Sequence, residues 1–551
     1  MFRSRAAKRC LKYFVIIGVV LFATHLLITS PDKISEERVA SNDEQPVHSK
    51  IKSPLEFHED TEDVGKKHHK NKKPDKHHGD HHAEKAEHYK REDLSPEYEN
   101  DNILVDNPDD NNNPVLNMEG ESQEIDLDVF PHFAGHGVNG NKEPELGPAK
   151  LMIGERGDPV VLDESLNSQV KASISEWGFN MVASDKVSLD REPKDLRHEE
   201  CKHWDYPPED MMPTVSVVLV FHNEAWSTLM RTVHSVYNRT PAKILKEVVL
   251  IDDGSNKPHL AQQLEDYIKG KFEGKAKLYR NGERHGLIRA RCDGARKATG
   301  DILVYLDAHC EAGYNWIYPL ITPIMKDRST CTCPLVDVID GNKYTFTEQA
   351  GGDENGHARG AWDWDLLWKR VPLTHREKAK HKYISEPYAS PAMAGGLFAI
   401  NREYFFEIGL YDEELEIWGG ENFEISYKLW QCGGSLMFVP CSRVGHVYRL
   451  PGWRGNPAPK TVHANFAMRN YVRVVTIWWG DYAKYFFERR PEARHVDPGD
   501  LTKQRKLFSD LKCKSFDWFM QEVAYDIPKR FPLVIQFVGI KSCRFSRSCK
   551  M

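Results

Sequence analysis

The stretch DILVYLDAHCE, residues 301–311, decides how the chain is read. Its first six residues form an apolar run of the kind that makes a buried strand, and the run ends abruptly in Asp307. In extended backbone, residues i and i+2 face the same side, so Asp307 and His309 point together from the strand end. A carboxylate and an imidazole in that relation can grip one cation, and mixed ligation of this kind suits Mn²⁺ or Zn²⁺ better than Mg²⁺ or Ca²⁺.

Working outward, TVSVVLV at residues 214–220 and KEVVLI at 246–251 read as two further buried strands. A helical pattern with Leu229, Val233 and Val236 on one face lies between them. A helix over 259–269, a short strand at 276–279 and a helix over 288–298 lead back to residue 301. This βαβαβ order predicts an α/β fold with a mostly parallel sheet and helices on both faces. Ligands in such sheets bind beyond the carboxyl ends of the strands, where Asp252, Asp253 and Asp307 fall. No G-x-G-x-x-G follows the first strand and no phosphate-binding G-x-x-x-x-G-K-[ST] occurs. Hydride transfer and phosphate-loop hydrolysis therefore lose their support, and a cation clamped between protein and diphosphate gains it.

The rest of the chain is organised around this body. At 551 residues it is long enough for three to four average domains, but composition divides it otherwise. Residues 13–29 (YFVIIGVVLFATHLLIT) are the only long apolar run, preceded by Arg3, Arg5, Lys8, Arg9 and Lys12. Seventeen residues at about 1.5 Å each make about 26 Å of helix, which suits a thin bilayer. The basic flank predicts a cytosolic tail at 1–12 and everything after the span in the lumen. A cleaved signal peptide shows the same order, but the long apolar core and the lack of an A-x-A-like site favour an uncleaved anchor.

From 30 to 154 the chain is polar, with nine histidines between His48 and His88 and an Asp/Asn run at 100–113. Such a stretch buries too little surface to offset its ordering entropy, so a disordered lumenal stem is expected. The histidine pairs could offer metal or acid responses, but a solvated spacer is the expected reading. A globular body is expected over 155–532, and a short tail over 533–551. The formal net charge of −7 gives no basic face for nucleic acid. Of eleven cysteines, Cys10 lies on the cytosolic side, and in an oxidising lumen disulfides are expected among the others. Asn238-Arg239-Thr240 is a glycosylation sequon.

Seven segments then read together: FHNEAWSTLMRTVHSV, VVLIDDGS, GLIRARCDGA, LDAHCE, AGGLFAI, WGGENFEISYKLWQCGG and PCSRVGHVYR. Their series resembles the polypeptide N-acetylgalactosaminyltransferases over about residues 177–532. GFNMVASDKVSLDR, RGAWDWDLLWKR and YRLPGWRGNP look most like the glycopeptide-preferring branch of that family. The resemblance implies a glycosyltransferase-A fold that moves GalNAc from UDP-GalNAc to Ser or Thr hydroxyls of peptides or glycopeptides, with retention. It also implies a Golgi membrane protein of type II. Asp307, His309 and His446 match the Mn²⁺ ligands. Asp253, Arg289, Ala308, Trp418 and Arg449 match donor-binding positions, and Glu421 and Asn422 match catalytic ones. Trp362 and Trp364 match an acceptor-groove pair, although by composition alone they read as core tryptophans. Cys201 with Cys441 and Cys432 with Cys513 match family pairings; Cys292, Cys310, Cys331 and Cys333 have no assignable partner.

The loop LPGWRGNPAPK after Arg449 reads as a lid. It departs from many family members, which carry a tyrosine where this chain has Arg454, with Trp453 beside it. A retaining glycosidase uses a carboxylate pair ~5 Å apart, and none is assignable here. A front-face route, with the leaving phosphate taking the acceptor proton, is therefore expected. Only about 19 residues follow the body, so the lectin domain common in the family is expected to be lacking. Two alternatives stay open at this point: a catalytically inactive lumenal glycoprotein-binding protein, and a transferase for UDP-galactose or UDP-GlcNAc.

Overall fold

The computed structural model describes residues 130–133 and 152–532. A sheet runs through the body, and its central strands are the ones expected. They are β1 (Val215–Phe221), β2 (Leu245–Asp252), β3 (Ala276–Arg280) and β4 (Ile302–Asp307). Helix α1 (Asn167–Trp177) precedes them. The crossovers are α2 (Trp226–Arg239), α3 (Gln262–Lys271) and α4 (Leu287–Lys297). Downstream come β5 (Cys310–Ala312), α5 (Ile317–Lys326), β6 (Thr330–Ile339), β7 (Phe398–Asn401), α6 (Glu421–Gln431), β8 (Ser435–Val447) and α7 (Phe466–Trp478).

The strands lie in the order β8-β6-β7-β4-β1-β2-β3, with the two-residue strand Tyr388–Ala389 outside β8. The pairs β1–β2, β1–β4, β2–β3 and β6–β8 are parallel, and β7 runs antiparallel to both β4 and β6. Two reversals restore the direction, so β8 runs the same way as β4. Val447 at the end of β8 therefore comes out on the same side of the sheet as Asp307. The residue alternation explains why both faces are covered. Val218, Val249, Ile251, Leu303 and Tyr305 pack on one face. Val217, Leu219, Val248, Leu250 and Val304 pack on the other.

Two boundaries shift. Residues His132 and Phe133, expected in the disordered stem, form an antiparallel ladder with Trp204–Asp205. Phe133 stacks on Tyr383 at 4.1 Å between ring centroids, so an aromatic residue in a polar tract finds a pocket and orders its neighbours. Residues 152–154 are likewise part of the body, and Arg191 bonds to the Gly154 carbonyl. Among the described residues no helix is long and apolar enough to cross a membrane. The run 13–29, the rest of the stem and the 533–551 tail lie outside them.

Candidate active site

Asp307 ends β4, and the chain turns through Ala308 and His309 directly into β5. β5 pairs with β8 so that Cys310 lies opposite His446. This register, invisible in the sequence, carries His446 to the other two residues. The ligand atoms of Asp307, His309 and His446 all lie within 4.8 Å of one another. His446 Nε2 is 3.3 Å from Asp307 Oδ2, and the two imidazole rings are 4.8 Å apart. Ala308 turns its methyl into the core, as the strand alternation requires.

Asp307 and His309 are held from behind. Arg291 of α4, 2% exposed, donates to Asp307 Oδ1 (3.2 Å) and to the carbonyls of Gly395 and Gly396. A Cβ on Gly396 would stand 2.5 Å from Asp307 Oδ2, so only glycine admits the carboxylate there. His309 Nδ1 is 3.1 Å from Glu224 Oε2, leaving its Nε2 edge for a ligand. Glu224 also accepts from Arg449 Nη2 at 3.0 Å, so one buried carboxylate joins the imidazole to the arginine. Arg449 further donates to the Trp177 carbonyl and lies between the rings of Phe179 and Trp453, at 4.6 and 4.1 Å.

The electrostatics suit a cation. Burial alone would raise the Glu224 carboxyl, but Arg449 and His309 hold it at about 2. Asp307 is likewise held well below the carboxylate range against its burial, by His446 and Arg291. Burial lowers the His309 imidazole against the pull of Glu224, which favours its neutral, metal-binding form. His446 Nδ1 is buried without a partner. One ionised carboxylate and two imidazoles fit Mn²⁺ or another borderline divalent ion.

On the opposite wall, Gly419 and Gly420 lead into α6. Glu421 is 4% exposed; its Oε2 accepts from Gly419 N at 2.7 Å, and burial raises its pKa. Asn422 donates to the Met393 carbonyl at 3.2 Å. Trp418 is 57% exposed. Asn470 of α7 fixes this loop: it accepts from Glu416 N and donates to the carbonyls of Glu416 and Gly419.

The 450–460 loop is tied to the C-terminal end of α1 and to the residue after β1. Leu450 N bonds to the Gly178 carbonyl, Arg454 N to that of Ser175, and Asn456 to that of His222. Arg454 is exposed, and Trp453 takes the inward place against Arg449.

Several expected roles change. Trp362 (0% exposed) packs against Phe423, Tyr427 and Phe519, and the Trp364 indole donates to the Phe531 carbonyl. Both side chains are buried in the core, as the reading from composition expects. A cleft of about 270 Å³ opens beside Tyr448, bordered by Gln349, Arg370, Ala394, Phe438 and Arg443. Both oxygens of Asp253 accept from the 281–286 loop, through the amides of His285 and Gly286 and the Asn281 side chain. Its carboxylate thus fixes that loop through the backbone. Arg289 donates to the Glu413 carbonyl at 2.7 Å and ties α4 to the loop before α6.

Cys201–Cys441 and Cys432–Cys513 are bonded as expected, and Cys292, Cys310, Cys331 and Cys333 are buried thiols. Asn238 is exposed at the end of α2, with its amide on Asp190. Glu224, Arg291 and Asn470 were not singled out in the sequence. The first two lie inside the recognised motifs, and Asn470 is the only side-chain amide of its helix.

Residues 216–405 match the family model "Glycosyl transferase family 2", and 376–451 match "N-terminal domain of galactosyltransferase". The chain is 59% identical over 401 residues to N-acetylgalactosaminyltransferase 7 of Homo sapiens, covering 72% of this chain and 61% of that one. It is 45% identical over 383 residues to polypeptide N-acetylgalactosaminyltransferase 10 of Homo sapiens, covering 69% and 60%. A crystal structure of GalNAc-T7 with UDP, GalNAc and Mn²⁺ superposes with a TM-score of 0.71 at 58% identity, over 73% of this chain and 74% of that one. The sheet, with a carboxylate and two imidazoles beyond its strand ends, is a glycosyltransferase fold of the GT-A type. The chain belongs to the polypeptide N-acetylgalactosaminyltransferase family. It spans about three-fifths of the length of the two human relatives.

Proposed function

We propose that this protein transfers GalNAc from UDP-GalNAc to Ser and Thr hydroxyls of peptides and glycopeptides, with retention and with Mn²⁺ as cofactor. The observation that carries the reading is the Asp307–His309–His446 cluster with Glu224 and Arg449 locked behind it. Mn²⁺ bound there supplies Lewis-acid neutralisation of the diphosphate. Arg449 brings a second positive charge, held in place by Glu224 and two aromatic rings. Trp418 offers an apolar face to the sugar, and the Glu421–Asn422 end of α6 closes the other side. The cleft beside Tyr448 is the place for the acceptor, since it opens two residues beyond His446. Glu421 positions the loop through Gly419 and is no nucleophile in the front-face route; trapping a covalent sugar on it would overturn that part.

The test is purified body, Mn²⁺, each UDP-sugar in turn, and a mucin-like peptide with or without prior GalNAc. Product is expected with UDP-GalNAc, and none from Asp307→Ala. Absence of product with every donor would favour an inert glycoprotein-binding role, against which the intact cluster argues. Residues 13–29 serve on this reading as an uncleaved anchor that holds the body in the Golgi lumen. The basic flank and two disulfides support it. Alkaline extraction releasing the full chain from membranes would count against it.

A further inference from the structure

Glu311, two residues beyond His309, is only 2% exposed. Its carboxylate receives a bidentate fork from Arg191, Nε and Nη2 each at 2.8 Å, and Arg231 Nε at 3.1 Å. Both arginines are almost completely buried. Arg191 continues to the carbonyls of Gly154 and Tyr344, and Arg231 to Ser184 and Val187. These three buried charges hold one geometry, because a fork matches a carboxylate in direction as well as distance.

That geometry sits on β5, two residues beyond His309 and on the strand paired with the one that carries His446. Glu311 lies opposite Gly445 and Cys310 opposite His446. Gly445 has no side chain, and a Cβ there would stand 2.4 Å from the Phe346 ring. The same ring lies 4.9 Å from the Arg191 guanidinium. Arg191 thus reaches β5 through Glu311 and β8 through Phe346.

We propose that Glu311, clamped by Arg191 and Arg231, is a positioning residue that sets the separation of His309 and His446, making the segment 154–191 part of the metal site's scaffold. The proposal rests on the metal reading given above. The test is Mn²⁺ affinity, from free Mn²⁺ counted by electron paramagnetic resonance at a temperature where every variant is fully folded. Glu311→Gln, Arg191→Lys and Arg231→Lys are each expected to weaken binding, by about ten-fold for Glu311→Gln. Should Glu311→Gln fail to fold, the two lysine variants, which keep the charge and lose the fork, decide. Ile268→Ala opens a cavity under α3, away from the site, and is expected to lower the melting temperature with Mn²⁺ affinity unchanged. Wild-type affinity in the folded Glu311, Arg191 and Arg231 variants, or equal weakening by Ile268→Ala, would overturn the proposal. Asp307→Ala separates the premises: if it leaves Mn²⁺ binding intact, the metal reading itself fails.

Discussion

At the scale of single residues, the site depends on side chains that touch no substrate. Glu224 serves two masters, orienting His309 and holding Arg449. Glu224→Gln keeps the shape and removes the charge, and turnover is expected to fall about 10- to 100-fold, as for other partners of metal ligands. Steady-state rates against Mn²⁺ concentration check it. Trp453 stacks on Arg449. An exposed cation–π contact is worth about 0.5–1 kcal/mol, so Trp453→Ala should raise the KM for donor about two- to five-fold. Arg454→Ala, one residue along and exposed, should leave that KM unchanged.

This is also where the sequence was legible and where it was not. Asp307 and His309 can be read because strand periodicity alone puts them on one side. Glu224 and Arg291 cannot, because their meaning comes from the partners the fold delivers. Asp253 sits at a donor position by resemblance, yet its oxygens go to backbone amides, which no spacing rule reveals. Trp362 and Trp364 are the reverse case, since their apolar character alone suffices to place them in the core.

At the scale of elements, the strands β1 to β4 and their helices follow from the apolar runs. The placement of β8 does not, since a parallel neighbour can come from anywhere later in the chain. One contact between elements is unusually tight. Gly286, at φ +92°, forms a parallel bridge with Ile417, and a Cβ would lie 2.5 Å from the Ile417 Cα. Gly286→Ala is expected to lose about 1–3 kcal/mol or more of stability, because backbone strain and backbone collision add. Denaturant unfolding measures it. Asn470→Ala should cost about 1–3 kcal/mol by leaving buried backbone groups of the 416–419 loop unpaired.

At the scale of the whole molecule, the acid limit of stability is written into buried carboxylates. Glu377 is 2% exposed. Burial alone would raise it, but His381, Lys380 and the Ala389 amide hold it at about 2, against 4.5 unperturbed. A carboxyl lowered by folding contributes stability above about pH 4.5 and loses it as pH falls through about 2. Glu377→Gln should therefore flatten the melting-temperature profile in that window, relative to wild type. The Cys432–Cys513 bridge closes a loop with a sequence separation of 81, and its removal is expected to cost about 2–5 kcal/mol.

The other bridge has a different meaning. Cys441 lies on β8, the strand that carries His446, and its partner Cys201 stands 240 residues earlier, ahead of the whole sheet. The final metal ligand thus comes from a strand that is late in synthesis and bonded back to the beginning. Opening that bridge is therefore expected to free the strand that carries His446 from the segment ahead of the sheet. Graded reduction should lower Mn²⁺ affinity before it erodes secondary structure, an order that metal titration and circular dichroism over one redox series will reveal.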